Sequence, residues 1–166
     1  MIINSLDHND HSWNMQTALE LAEQAYRMDE VPVGAIILDG DGKVIASAHN
    51  LKEATQDPCG HAEILAIRKA AESLNSWRLL NCSMYVTLEP CVMCIGALLH
   101  ARIKSLYFGA YDKKGGAIST GHRVFDHPLL NHKFSVIGGI KHYECSKVLS
   151  RFFREKRERY KSSKSK

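Results

Sequence analysis

The chain has 166 residues, of which 45% are hydrophobic and 24% charged, a size and balance that fit one globular domain with its own core and exclude a disulfide-stapled miniprotein. It lacks an unbroken apolar run of the ~18 residues that a membrane-spanning helix needs, and its polar opening residues carry no secretory signal, so a cytoplasmic chain is expected. The formal net charge is +4, but residues 151–166 hold eight basic side chains against two acidic ones, the footprint either of a protein that meets an anionic polymer or of a solvated terminus.

Residues 1–11 read as a flexible N-terminus and 12–160 as the core of the single domain. Ser12 can cap a helix running to about Met28, with Met15, Ala18, Leu19, Ala22, Ala25 and Tyr26 on one face. Val33 to Asp39 and Lys43 to His49 are two predicted strands joined by Gly40-Asp41-Gly42, a hairpin turn. Leu51 to Gly60 reads as a loop. A helix is predicted from His61 to about Leu74, burying Ile64, Ile67, Ala71 and Leu74. Ser83 to Leu88 is a third strand, ended by Glu89-Pro90 before a short helix from Cys91 to about His100. Ile103 to Phe108 is a fourth strand, and 112–133 a long surface loop. Phe134 to Ile140 forms a last strand. A helix from Tyr143 carries Val148, Leu149, Phe152 and Phe153 as its apolar stripe, and 161–166 read as a disordered basic tail. This order implies one α/β domain with helices on both faces of a sheet.

Five cysteines in a reducing compartment point to metal ligation or free thiols rather than bridges. Cys91 and Cys94 lie three apart at a helix start, so both sulfurs can face one ion, and the positive helix end favours their thiolates. His61, at another helix start, supplies a third ligand. Three protein ligands leave a tetrahedral zinc one position for water, the pattern of a catalytic rather than a structural site. Two thiolates make that water less acidic than histidine ligands would, so a base is needed, and Glu63 is placed to serve as proton shuttle. Cys59, two residues before His61, is the alternative ligand. Cys82 reads as strand core and Cys145 as a packed helix residue, and neither offers a second Cys-x-x-Cys pair.

His-x-Glu at one helix start, followed about 30 residues later by Pro-Cys-x-x-Cys at another, is the signature of zinc nucleobase deaminases, tRNA adenosine deaminases among them. At these residues the chain resembles the bacterial tRNA-specific adenosine deaminase family, over about residues 12 to 160. The likeness extends to Val31-Pro32-Val33-Gly34-Ala35, His49-Asn50, the run Tyr85 to Cys94, Gly96-Ala97, Phe108-Gly109-Ala110, Asn131-His132 and Phe152-Phe153-Arg154. The sequence departs from the family pattern at Cys59-Gly60, at Tyr111, where arginine is expected, and across Ile118 to Val124.

The resemblance implies a three-layer α/β/α, cytidine-deaminase-like fold with a central five-stranded mixed sheet. It also implies one zinc ion per subunit on His61, Cys91 and Cys94, with Glu63 shuttling protons during hydrolytic deamination of adenosine to inosine at the wobble position of a tRNA anticodon loop. By the same resemblance Asn50 hydrogen-bonds the flipped base, Val33 and Leu88 wall its pocket, Asp112 contacts the anticodon backbone, and Phe153 packs near the flipped nucleotide. A homodimer is implied as well. Two other readings stand beside this one: a deaminase of a free base or nucleoside (guanine, cytosine or cytidine), and a zinc-stabilised RNA-binding module without catalysis. The basic terminal helix favours an RNA loop, whose phosphates and bases a free nucleoside lacks, while Val148 and Phe152 at helical spacing are expected in the core.

Overall fold

The computed structural model describes residues 11–119 and 130–164; expectations placed on 1–10, on 120–129, which include His122, Val124 and His127, and on 165–166 lie outside them. Its sheet comprises β1 (Gly34–Leu38), β2 (Val44–His49), β3 (Ser83–Leu88), β4 (Ser105–Ala110) and β5 (Ser135–Gly138) in the order β2-β1-β3-β4-β5. The pairs β1–β2 and β1–β3 are antiparallel, and β3–β4 and β4–β5 parallel. The helices are α1 (His11–Arg27), α2 (Lys52–Thr55), α3 (Ala62–Ser73), α4 (Val92–Ala101) and α5 (His142–Lys164). Among the described residues no helix is long and apolar enough to cross a membrane.

Alternation along the strands builds two cores, because successive side chains leave a strand on opposite faces. Met15, Ala18 and Leu19 of α1 and Cys145 of α5 pack on Ile36, Leu38, Tyr85 and Ala110. On the other face Ala62, Ala66 and Ala70 of α3 and Ile95 and Leu98 of α4 meet Ala35, Ile37, Met84, Val86, Leu106 and Phe108. The result is the expected α/β/α sandwich, with the all-buried β1 reading as a strand covered on both sides. Phe152 is buried, as its place in the apolar stripe predicted, and so is Cys145, read as a packed helix residue. Burial, aided by the charge of Glu144, pushes the Cys145 thiol up to about 12, so it acts as a small packing group.

Several expectations need correction. Helix α1 is already formed at His11, which places Ser12 inside its first turn rather than at the cap. The segment after Leu51 contains the short helix α2, held from a distance by Glu30, whose Oε1 accepts the Ala54 N–H at 2.7 Å. The buried face of α3 is Ala62, Glu63, Ala66 and Ala70, while Leu74 is exposed. Four-residue spacing of alanines lets α3 lie close on the sheet, and its larger side chains flank the contact. The expected surface loop after 112 is anchored in its first part, with Gly116 and Ala117 buried. The basic terminus is helical through Lys164 rather than disordered from 161, its last turns stabilised by Ser162 bonding to the Glu158 carbonyl, Ser163 bonding to the Tyr160 carbonyl and Lys164 over the Tyr160 ring.

Gly34 marks where α1 presses hardest on the sheet. A Cβ there would collide with the Ala18 carbonyl oxygen and the Ala22 nitrogen, so α1 and β1 can approach only with glycine at this position. Gly34→Ala is expected to destabilise the fold by about 1–3 kcal/mol, the usual cost of overpacking a filled core. The midpoint of urea unfolding measures it, and an unchanged midpoint would refute the close approach.

Candidate active site

The strand directions bring several chain segments to one edge of the sheet. The parallel pair β3 and β4 ends there, with Leu88 beside Ala110. Because β1 runs the other way, it begins there, with Gly34 beside His49 at the end of β2. Val33, Asn50, Glu89 and Asp112 are therefore neighbours just past the sheet, although far apart in sequence.

Helices α3 and α4 also start at this edge. Their N-cap residues are His61 (φ −78°, ψ 146°) and Cys91 (φ −76°, ψ 174°), both extended and neither making a side-chain cap bond. Asn50 does that work for α3 from outside: its Oδ1 accepts the Ala62 N–H at 2.9 Å, while its Nδ2 donates to the Val31 carbonyl at 3.0 Å. The cap side chains are thereby left to face each other. His61 Nδ1 lies 3.8 Å from Cys91 Sγ and 3.6 Å from Cys94 Sγ, and the sulfurs are 3.7 Å apart.

Among the described residues, His61, Cys91 and Cys94 form the cluster able to hold a metal, and Cys59 is not part of it. A tetrahedral ion bound at ~2.3 Å to sulfur and ~2.0–2.1 Å to nitrogen has sulfurs ~3.8 Å apart and sulfur to nitrogen ~3.6 Å, so the donor triangle fits a metal site without rearrangement. The Cys91 thiol is lowered to about 4, chiefly by its hydrogen bond with Cys94 and also by His61. That same bond, with burial, pushes Cys94 up. His61 is raised through its bond to Cys91, against the effect of burial.

Glu63, in the first turn of α3, is 4% exposed. Burial raises its pKa, with the charge of His61 opposing. A cleft of about 200 Å³ opens beside it, lined by Val33, Asn50, His61, Glu63, Leu88, Cys91 and Asp112. Small-molecule sites usually occupy ~300–1,000 Å³, so this cleft suits one ring of a larger substrate. A wider groove of about 630 Å³ runs between α1 and α5, but it contains none of these residues. Cys94 lies buried behind the cleft. Phe153 does not line it: this ring is 43% exposed and packs edge-on against Phe152 at 5.4 Å.

The sequence reading missed Glu30, Lys52, Glu89 and Lys156, which also line the cleft. For Glu89 a signal was available, a carboxylate directly after a strand that carries no other charge. Lys156 lies one helical turn beyond Phe153.

A helix-covered mixed sheet with a His-Cys-Cys triangle and a buried carboxylate at its edge defines the deaminase class, and a family model of MafB19-like deaminases matches residues 9–157. The tRNA-specific adenosine deaminase of Haemophilus influenzae is 47% identical over 151 residues, covering 91% of this chain and 87% of that one. The corresponding protein of Bacillus subtilis is 42% identical, covering 90% and 92%. A solved structure from work on A-to-I editing by tRNA:A34 deaminases at the wobble position superposes with a TM-score of 0.81 at 43% identity, covering 84% of this chain and 100% of that one. The chain belongs to the tRNA-specific adenosine deaminase family.

With His61, Cys91 and Cys94 as the complete ligand set, Cys94→Ala is expected to reduce bound metal to less than about a tenth of that of the unaltered chain. Elemental analysis of the purified variant measures it, with far-ultraviolet circular dichroism as the check on folding. Full metal occupancy in a folded variant would refute the ligand set.

Proposed function

We propose that the chain is a zinc enzyme that deaminates adenosine to inosine at the wobble position of a tRNA anticodon loop. The carrying observation is the His61, Cys91 and Cys94 triangle with the buried Glu63 beside it on the same cleft. Zinc is the metal that suits two thiolates and an imidazole, and when bound it supplies Lewis acidity that activates water near neutral pH. Glu63 accepts one proton from the attacking water and delivers it to N1 of adenine, then takes the remaining proton from the newly added hydroxyl and passes it to the amino nitrogen, whose bond to C6 breaks as ammonia leaves. Removal from water suits this carboxylate to hold a proton between the two transfers.

Asn50 has used its oxygen on Ala62 and one amide hydrogen on Val31, which leaves the other hydrogen to orient the base. Val33 and Leu88 flank the ring. Asp112 stands at the cleft edge where it meets the anticodon backbone, and Phe153 on the exposed side of α5 meets the nucleotide outside the cleft rather than within it. A base inside a stacked helix cannot enter so narrow a space, so the substrate is a splayed loop nucleotide. The homodimer and the cytoplasmic location implied by the family resemblance are part of this reading.

The direct test incubates the zinc-loaded protein with an anticodon stem-loop carrying adenosine at the wobble position, and in parallel with free adenosine and cytidine. Inosine is expected in the RNA alone, and turnover of the free nucleosides at a comparable rate would favour the nucleoside-deaminase reading. Glu63→Gln is expected to keep its zinc and lower the rate by ~10²–10⁴-fold, the usual share of general acid–base catalysis. Undiminished activity in that variant would sink the shuttle assignment.

The exposed Arg154 and Arg157 of α5 are assigned to phosphates. Replacing both with glutamine is expected to flatten the plot of log affinity against log salt by roughly 1.4, at ~0.7 per single-strand phosphate contact. An unchanged slope would remove both from the RNA surface.

A further inference from the structure

Glu89 takes no part in the donor triangle or in the proton transfers assigned to Glu63, yet it is among the most thoroughly bonded side chains near the cleft. It is 2% exposed. Its Oε1 accepts the backbone N–H groups of Ile118 at 3.0 Å and Ser119 at 2.6 Å. Its Oε2 accepts the Asp112 N–H at 3.1 Å and the Ser119 hydroxyl at 2.7 Å. Four donors from one loop thus converge on a single carboxylate.

The loop is fitted to this anchor. Gly116 passes so close that a Cβ would strike the Glu89 carboxyl and the Asp112 carbonyl. Gly116 also bridges Cys91 through the backbone, and Ala117 N–H donates to the Pro90 carbonyl at 3.0 Å. Asp112 closes the turn itself, its Oδ1 accepting the N–H groups of Lys114 and Gly115 at 2.9 and 3.1 Å. Residues 112–119 are therefore folded onto Glu89, two positions before the ligand Cys91.

We propose that Glu89 is a positioning residue: its carboxylate binds loop 112–119 to the metal-binding turn and thereby sets Asp112 at the mouth of the cleft. Glu89 acts on substrate binding rather than the chemical step, because Asp112, the group it places, lines the cleft without belonging to the His61, Cys91 and Cys94 cluster. The proposal rests on the reading of Asp112 as an RNA contact. Glutamine at position 89 keeps the shape but cannot keep the bonds. Either orientation of its amide turns an NH2 toward a backbone N–H, donor against donor.

The test measures kcat and KM on the anticodon stem-loop for Glu89→Gln, Ser119→Ala, Asp112→Ala and the double variants, together with zinc content and melting temperature. Glu89→Gln is expected to raise KM about tenfold with kcat within about threefold, the size of one lost charge-assisted hydrogen bond. It should add nothing in the Asp112→Ala background, since the group it positions is then missing. Ser119→Ala removes one hydroxyl bond, keeps the fold, and should show the same pattern at a smaller size if Glu89→Gln does not fold. An unchanged KM, a fall in kcat alone, or effects that multiply with those of Asp112→Ala would overturn the proposal. These results leave the deaminase reading intact so long as the unaltered chain forms inosine, whereas its failure to do so sinks that reading first. Faster hydrogen exchange at the Asp112, Ile118 and Ser119 amides in Glu89→Gln, expected whether or not the RNA is turned over, reports the loop's release directly, and unchanged exchange would overturn the anchor.

Discussion

Everything at this site depends on two helix starts meeting with their cap side chains turned toward one another. A helix N-terminus usually directs a hydroxyl or carboxamide at its own free N–H groups, and losing that cap costs about 0.5–2 kcal/mol. Here the cap positions hold His61 and Cys91, whose side chains make no cap bond. The first amide of α3 is recovered by Asn50 from the end of β2, and Pro90, just before α4, has no N–H to satisfy. Freed of capping, the three donors sit 3.6–3.8 Å apart. The mixed sheet is what allows this, since only a strand running against β3 and β4 begins at the edge where they end.

The same edge explains why the cleft is small and polar at its rim. Three carboxylates, Glu30, Glu63 and Glu89, are buried around it, and each has a different occupation. Glu30 holds α2 and Glu89 holds the loop after β4, both by accepting backbone N–H groups. Neither needs a cation, because backbone amides supply the compensation that burial of a carboxylate requires. Glu63 is buried beside His61 and Cys91 instead, and burial raises its pKa against a bond from its own backbone amide and the charge of His61. A shared residue type and depth thus conceal two carboxylates spent on distant backbone amides and one placed beside the His61 and Cys91 side chains.

Periodicity and turn chemistry made most of the architecture legible before any coordinates. Strand alternation, the glycine turn after Asp39 and the stripe of α1 report on local faces, and local faces were what the fold used. The clustering of His61, Cys91 and Cys94 was legible for a similar reason: Cys-x-x-Cys at a helix start has few geometries available. What escaped the sequence were interactions that satisfy backbone groups from afar. Nothing around Glu30 announces that it will fix Ala54, and nothing around Asn50 announces that it will cap a helix beginning at Ala62. The inner face of α3 was misread for a related reason. Hydrophobicity pointed to Ile64 and Leu74, whereas close approach to the sheet selected the smaller Ala62, Ala66 and Ala70.

The basic terminus shows how placement changes the meaning of charge. As a free tail, its cations would act as a diffuse cloud. Instead α5 lies alongside the end of α1 and is joined to it by a ladder in which Glu23 meets Arg151, Tyr26 meets Glu155 and Asp29 meets Arg159. The rungs advance by four residues along α5, a spacing that keeps side chains on one helical face, while on the other side Glu23 and Tyr26 lie three apart on α1 and Asp29 follows in the turn beyond its end. Each rung is weak, as exposed ion pairs are, but together they fix the direction in which the helix leaves the body. Arg151 and Arg159 are committed to the ladder, so the remaining field is set by residues between and beyond the rungs, Lys156 among them at the cleft itself. On the proposed function, a cation at that point lies beside the same cleft as His61 and Glu63 and can meet a phosphate of the nucleotide whose base has entered it. On that reading polymer and reacting ring meet one surface, because α5 carries its cations up to the cleft rather than away from it.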